Sequence, residues 1–434
     1  MNLQVTMLQA ARTIEDGVRG DLVPPEALAL LEALGCPPGA SVDGMPRQRA
    51  AIFRAAAQCS RLFRLHSRDA PGLAFFGAEA DPAEVCDEPL IPPMSACGTG
   101  VTQMEAFAAC IGEAVERVSQ VETADDRMVP PVSFDESQPS ACINLLPQDR
   151  WIDGCLLARK VIDDGPCLVP IDLCFRRAPP RRCFEPPFPL SIGCAAGVSV
   201  ESAILHGLLE LIERDAVALW WRGGRRGRPL SPEVTTEVQS LITTLRQGIS
   251  GRSTWVVDIT TDIGVPVVAA ISFEPTGRGF CCGMAARPSF GAAARSALFE
   301  MCQGELAHQI VVMKRSALGD AALNWLDEAH LRRFSSIDAR DCPIVHPSGT
   351  PTIMQALDSS PPRHGLESVT RRLASLGFDP VVVDITRPRF NIPVMRLLCP
   401  GLEQEPSPLR GERLRAAIDE TGGGPGILTS ISLA

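Results

Sequence analysis

Glu210 and Glu213 stand one helical turn apart in the stretch GVSVESAILHGLLELIERDAVALWW (residues 197–221), and Arg214 follows directly. Ile204, Leu208 and Leu211 recur at helical spacing without an intervening proline, which predicts one long, partly buried helix. The two carboxylates then share a face and repel each other. A divalent cation between them removes the repulsion, because hard cations take oxygen ligands. Arg214, four residues after Glu210, can neutralise a carboxylate or reach a phosphate.

The pattern recurs. Upstream, Glu113, Glu116 and Arg117 stand in the same order, and Gly100 precedes Glu113 by the spacing at which Gly197 precedes Glu210. Downstream, ALFEMCQ places Glu300 one turn before Gln303. The positions beneath each first glutamate are small: Ala106, Ala109 and Cys110; Ala203 and Gly207; Ala293, Ser296 and Ala297. Helical side chains lean toward the N-terminus, so these residues form a floor under each acid, and small floors leave room for a ligand. One such motif alone is ordinarily a solvated ion pair contributing roughly a few tenths of a kcal/mol. Three on similar floors predict a cage of carboxylates suited to a polyphosphate with magnesium ions. His206, one turn before Glu210, lies beside that floor and is expected to make a hydrogen bond; the other histidines show neither metal-ligand spacing nor a nucleophile neighbour.

The elements that must position these acids are legible in outline. At 434 residues the chain can bury a large core, and its apolar and charged fractions are those of a globular protein. No segment approaches the roughly 20 apolar residues of a membrane span, and the first residues do not read as a signal peptide, so a cytoplasmic location is expected. The net charge of −10 argues against nucleic acid as a partner. Lysine occurs only at Lys160 and Lys314, and no G-x-x-x-x-G-K-[ST] is present, which excludes a P-loop. Sixteen cysteines include no C-x-x-C and read as small buried hydrophobes.

Residues 1–85 read as an N-terminal helical region without chemistry of its own. The Pro/Gly-rich CDEPLIPPMSACGTG (86–100) opens onto the first acidic helix. A strand pair is predicted over 151–177, turning at Asp164–Gly165. The basic runs RRAPPRR (176–182) and RGGRRGR (222–228) read as solvated loops, with an acidic peptide or a phosphate as the minority reading. WVVDITTDIGVPVVAAIS and VVVDITRPRFNIPVMRLLCPGL are near-duplicates, each predicting strand, turn, strand, with Asp258 and Asp384 as turn residues. The fold class is therefore α/β, with internal pseudo-repeats of β-sheet and acidic helix. Residues 404–434 form a Pro/Gly-rich tail expected to be partly mobile.

GTG before IGEAVER, IGCAAG before LLELIERDA, ALFEMCQ, and the closing DIT–IPV–PGL together resemble the YcaO family, in that family's order. The resemblance implies, over residues 86–403, an ATP-binding catalytic domain of YcaO-type fold in which Glu and Gln side chains hold ATP and Mg2+. It implies activation of a backbone amide of a ribosomally made precursor peptide by phosphorylation. Attack by a Cys, Ser or Thr side chain then gives an azoline, sulfide gives a thioamide, and an amine gives an amidine. Carried over by position, Glu113, Glu116, Glu210, Glu213, Glu300 and Gln303 line the nucleotide–magnesium site. All of these except Gln303 are expected as metal ligands. Arg117, Arg214 and Arg396 are the expected phosphate contacts, and Glu210, Glu213 and Arg214 the catalytic residues. A partner protein (leader-binding, TfuA-like or a dehydrogenase subunit) and a homodimer are implied as well.

Several positions depart from the family pattern. Thr99 stands where a lysine is frequent, Ile192 where asparagine is common, and Glu305 where an arginine is expected. The family's N-terminal strand repeat reads as replaced by helices, and the sequence ends without a Pro-x-Pro-x-Pro run. Cyclodehydration is the first reading. Thioamidation with a TfuA-like partner and a non-catalytic peptide-binding subunit are the alternatives.

Amide chemistry itself explains the residue types. An amide carbon is a poor electrophile and its oxygen a poor leaving group; phosphorylating the oxygen corrects both. The transfer gathers negative charge, so magnesium and arginine are needed more than a covalent nucleophile.

Overall fold

The computed structural model describes residues 3–16, 23–36, 46–82, 93–126, 154–249, 251–352, 356–357, 361–429, 431 and 433. The start of the glycine-rich approach at 86–92 and the first residues of the predicted strand pair, 151–153, lie outside them.

Three helices lead the chain: α1 (Leu3–Asp16), α2 (Pro25–Ala33) and α3 (Pro46–Ala56). Strands β1 (Arg61–Leu65), β2 (Ala74–Ala80) and β3 (Met94–Gly100) then form an antiparallel sheet, and α4 (Gln103–Ser119) packs on it. The hairpin of β4 (Cys155–Lys160) and β5 (Pro166–Pro170) turns at Asp164, whose φ is 61°. Next come β6 (Cys194–Ala196) and α5 (Val200–Val217), which runs into a wider π turn over Ala218–Arg222. Helix α6 (Pro232–Arg246) is followed by β7 (Ser253–Asp258), β8 (Val267–Phe273), β9 (Cys281–Ala286) and α7 (Phe290–Leu318). The chain closes with α8 (Trp325–Ser336), α9 (Pro362–Ser375), β10 (Val381–Asp384), β11 (Val394–Leu398), α10 (Glu412–Thr421) and α11 (Pro425–Leu428).

The described residues thus hold eleven helices and three antiparallel sheets, ordered β1-β2-β3, β5-β4-β10-β11-β6 and β7-β8-β9. Each sheet carries one acidic helix: α4 on the first, α5 on the second, α7 on the third. The second unit is assembled from distant chain, because β10 and β11 return after the whole third unit to pair beside β6. Both near-duplicate segments are strand, turn, strand as expected. Asp258 and Asp384 accept from the N–H groups of Thr260 (2.8 Å) and Thr386 (2.9 Å), closing matching Asx turns.

The acidic helices start alike. Thr102, Ser199 and Ser289 are extended N-cap residues whose side chains accept from the backbone N–H three residues on. Each helix also lies close on its sheet through glycine. A Cβ on Gly98 would stand 2.1 Å from the Cys110 nitrogen and 2.2 Å from the Ala106 oxygen. On Gly283 it would stand 2.2 Å from the Met301 nitrogen and 2.3 Å from the Ala297 oxygen. In the middle unit the glycine is on the helix: Gly207 faces Leu397 and the Gly193 carbonyl.

One expectation is corrected. The N-terminal region is not helical throughout: helix α3 ends at Ala56, and RLFRL and AFFGAEA are strands. The first sheet is therefore complete, and Phe63 lies over Gly77, where a Cβ would come within 2.4 Å of its ring. Parts of the tail after 404 are held against the rest of the chain. Glu403 and Glu405 are buried, Trp221 donates to the Ile431 carbonyl (2.6 Å), and Arg333 donates to that of Leu433 (2.6 Å). No helix among the described residues is long and apolar enough to cross a membrane.

Candidate functional site

The acidic helices meet around a cavity of about 670 Å³. Glu113, Glu116, Glu210, Glu213, Glu300 and Gln303 all line it, as do Arg117 and Arg214. Larger hollows lie against the C-terminal tail, but neither gathers the acidic helices.

Every first glutamate is seated on a backbone N–H of its own unit, from a strand for Glu113 and Glu300 and from the turn just before β6 for Glu210. Cys97 donates to Glu113 (2.8 Å), Gly193 to Glu210 (3.0 Å) and Met284 to Glu300 (2.7 Å). Every second glutamate reaches the next sheet: Ala196 donates to Glu116 (2.7 Å) and Ala286 to Glu213 (3.3 Å). Helix α7 in turn contacts β3, where Gln303 and Thr99 line the same cavity. The three units form a closed ring in which each helix joins its own sheet to its neighbour.

These seats use one oxygen of each carboxylate; the other turns away from the seat, and at Glu113 it is taken by Arg117. Arg117 pairs with Glu113 through Nε at 2.9 Å. Arg214 stands 3.6 Å from Glu213 and 3.8 Å from Glu210, ion-pair separations longer than a hydrogen bond, and its Nε has no partner among the described residues.

Burial pushes the Glu116 carboxyl up to about 8, opposed by the Ala196 N–H and raised further by Glu210 and Glu113. Burial likewise lifts Glu210 to about 7, against the pull of Arg214. Glu300 and Glu213 are raised for the same first reason, and the Glu213 charge adds to the rise at Glu300. In the nucleotide-free protein these acids bind protons more tightly than in the unfolded chain. Their contribution to stability is complete below the ordinary value near 4.5 and is lost as pH climbs through about 7 to 8. The melting temperature of the free protein is therefore expected to fall across that window, and saturating Mg2+–ATP to remove most of the fall. Scanning calorimetry at several pH values checks this; a melting temperature that rises over the window would contradict it.

The donor set fits a magnesium–polyphosphate and not a bare ion. Among the described residues, no three His, Cys, Asp or Glu groups close around a metal on their own. Magnesium usually takes one or two carboxylates and completes its shell with water and phosphate oxygens. Thr99 Oγ1, Gln120 Oε1 and Arg214 Nε are buried beside the cavity without a partner among the described residues, which a bound ligand would supply.

Other expectations come out differently. Of the small residues under the glutamates, only Ala109 and Ser296 line the cavity. Ala106, Cys110, Ala203, Ala293 and Ala297 are fully buried, and Ala106, Cys110 and Ala297 lie directly against the sheet glycines. Their size serves helix–sheet approach more than ligand room. Arg396 does not line the cavity: it is fully buried, donating to the carbonyls of Leu173 (2.9 Å) and Ile192. It braces the turn whose next residue, Gly193, donates to Glu210, so it positions an acid instead of meeting phosphate. Glu305, at the position of an expected arginine, is buried between Arg246 (2.6 Å) and Arg252 (2.9 Å). His206 lines the cavity with Nδ1 3.4 Å from the Ala196 carbonyl.

Sequence reasoning missed Arg287. It lines the cavity and its charge acts on both Glu213 and Glu300. Aligning the caps reveals it: Gly100-Val-Thr and Gly197-Val-Ser match Arg287-Pro-Ser, so an arginine replaces the glycine in one unit of three. Burial raises the cysteine thiols lining or flanking the cavity, Cys97 to about 11 and Cys194 further, so neither is an activated nucleophile.

Comparison with known proteins points the same way. A family model described as "YcaO cyclodehydratase, ATP-ad Mg2+-binding" matches residues 97–403. An uncharacterized protein of Methanothermobacter thermautotrophicus is 29% identical over 339 residues, 74% of this chain and 85% of its own length. A protein of Rhizobium leguminosarum bv. trifolii named for its place in the tfuA 3′ region is 26% identical over 229 residues, 49% of this chain and 52% of its own. Among solved structures, a heterocyclase in complex with substrate and cofactor superposes with a TM-score of 0.64 at 21% identity. That match covers 86% of this chain and 55% of the heterocyclase. The structure of a Methanopyrus kandleri protein bound with AMPPCP and Mg2+ superposes at 0.55 with 18% identity, covering 82% and 88%.

Proposed function

The chain belongs to the YcaO family, and from that premise we propose that it uses ATP and Mg2+ to activate a backbone amide of a ribosomally synthesised precursor peptide, giving an azoline ring. The observation that carries the reading is the ring of glutamates from three separate units around one cavity, each seated on a backbone N–H. Clustered, desolvated acids are unfavourable unless a cation uses them.

Glu113, Glu116, Glu210, Glu213 and Glu300 would hold the metal through their carboxylate oxygens, with Gln303 on the nucleotide. Mg2+–ATP supplies the phosphoryl group that turns the amide oxygen into a leaving group. Arg117 and Arg214 stand on the same wall, where their charges meet the negative charge that the transfer gathers. Arg214 is the stronger candidate, since its separations from both glutamates leave its donors uncommitted. The backbone seats fix the glutamates before any ligand arrives, so little reorganisation is needed during transfer.

Thioamide formation is the second reading, favoured by the relative named for its place beside tfuA. A precursor peptide and a partner protein belong to both readings. Incubating the protein with ATP, Mg2+ and a candidate precursor peptide, then weighing the peptide, separates them: loss of water marks a ring, and exchange of oxygen for sulfur marks a thioamide. An unmodified peptide with no ATP turnover would leave a peptide-binding subunit as the surviving account.

A further inference from the structure

The basic run at 176–182 is not absorbed by the glutamate ring. Three of its four arginines are neutralised by acids: Arg177 lies buried between Glu122 (3.0 Å) and Asp172 (3.1 Å), Arg181 reaches Glu122 (2.8 Å), and Arg182 pairs with Glu185. Arg176 is the exception. It is half-buried, and its Nε has no hydrogen-bond partner among the described residues. Burial disfavours its charge first, and the guanidinium groups of Arg117, Arg182 and Arg396 add to that. Its backbone is pinned on both sides, its N–H donating to Gln120 (2.6 Å) and its carbonyl accepting from Glu122 (3.2 Å). The side chain cannot leave by a backbone swing. A desolvated cation held among cations is unfavourable until an anion joins it.

Arg176 lines a groove of about 740 Å³. Residues 186–190, Phe188 among them, form one wall and 405–408 another, and Phe175 lines the groove as well. The acids in the groove are already engaged: Asp172 by Arg177 and the Cys183 N–H, Glu185 by Arg182, and Glu405 by Arg222 at 3.6 Å. Five prolines (Pro186, Pro187, Pro189, Pro406 and Pro408) remove N–H donors from the walls and leave carbonyls and ring methylenes. The groove also adjoins the glutamate cavity. Residues up to Leu190 face the groove, while Ser191, Cys194 and Ala195 of the same stretch face the cavity, along with Arg117. The volume exceeds a phosphate many times over, and apolar, acceptor-rich walls suit an extended chain.

We infer that this groove receives the acceptor peptide, and that Arg176 takes a carboxylate of that peptide near the amide being activated. The inference rests on the YcaO reading of the adjoining cavity and adds a substrate preference to it: an acidic residue close to the modified position. A charge-assisted, partly desolvated pair of this kind is expected to favour the acidic peptide about tenfold.

The test uses two N-dansylated, C-amidated hexapeptides, Gly-Val-Asp-Cys-Val-Gly and its Asn analogue, titrated by fluorescence anisotropy in the presence of Mg2+ and AMPPCP. Wild type should bind the Asp peptide about tenfold more tightly. Arg176→Gln should erase that difference, and Arg176→Lys should keep part of it. Equal affinities in wild type, no binding of either peptide at millimolar concentration, or a preference that survives Arg176→Gln would overturn the inference. Displacement of the Asp peptide by micromolar inorganic phosphate would overturn it too, in favour of a simple oxyanion pocket. Binding of a fluorescent ATP analogue, measured in parallel on wild type, keeps the two readings apart. Loss of nucleotide binding sinks the cavity's assignment, whereas intact nucleotide binding without peptide discrimination sinks the groove alone.

Discussion

Replacing Glu210 with Gln lowers peptide-dependent ATP turnover by at least about a thousandfold, the order seen when a charged group at a metal-assisted transfer site is removed. The side chain has two demands on it. One oxygen accepts from the Gly193 N–H at 3.0 Å, and the residue lines the cavity. A glutamine can satisfy the first only with its carbonyl, which turns an NH2 toward the place of a cation. It also leaves Arg214 with one carboxylate neighbour in place of two. Phosphate release and calorimetric Mg2+–ATP binding, wild type against Glu210→Gln, read the two losses separately. Turnover within about tenfold of wild type would remove Glu210 from the transfer step.

Gly283→Ala is expected to destabilise the protein by about 3 kcal/mol or more, and Gly98→Ala similarly, through overpacking against main chain. The atoms that a new methyl group would strike are backbone nitrogen and oxygen at 2.1 to 2.3 Å, which cannot rotate aside. Strand and helix must separate, and the hydrogen bonds that depend on their closeness, Met284 to Glu300 and Cys97 to Glu113, lengthen with them. Each substitution should therefore lower the denaturation midpoint and weaken nucleotide binding together, although neither glycine carries a side chain into the cavity. A loss of stability below about 1 kcal/mol would mean the layers have slack that the distances deny.

The acidic helices were readable because each repeats a short pattern of caps, small residues and paired acids, and local periodicity carries that information. The same locality misled elsewhere. RLFRL continues the helical rhythm of the segment before it, and only pairing with AFFGAEA makes it a strand. Arg396 sits in a motif beside the site, but its guanidinium turns to the carbonyls of Leu173 and Ile192, contacts distant in sequence. Nothing in the tail's proline and glycine content shows that Trp221 and Arg333 hold its last described residues. Arg287 escaped notice because it belongs to no repeated acidic pair. Arg176 looked like its neighbours in a basic run, and what distinguishes it is a missing partner, a property no single stretch displays.

The return of β10 and β11 to the middle sheet has a consequence for biosynthesis. A nascent chain that has emerged from the ribosome as far as Leu318 already possesses all three acidic helices. It still lacks Arg396, which braces Ile192, and Leu397, whose N–H bonds to the Gly193 carbonyl at 2.6 Å. Glu210 has no prepared seat until that late strand docks, so translation must pass Leu397 before nucleotide can act as a folding template.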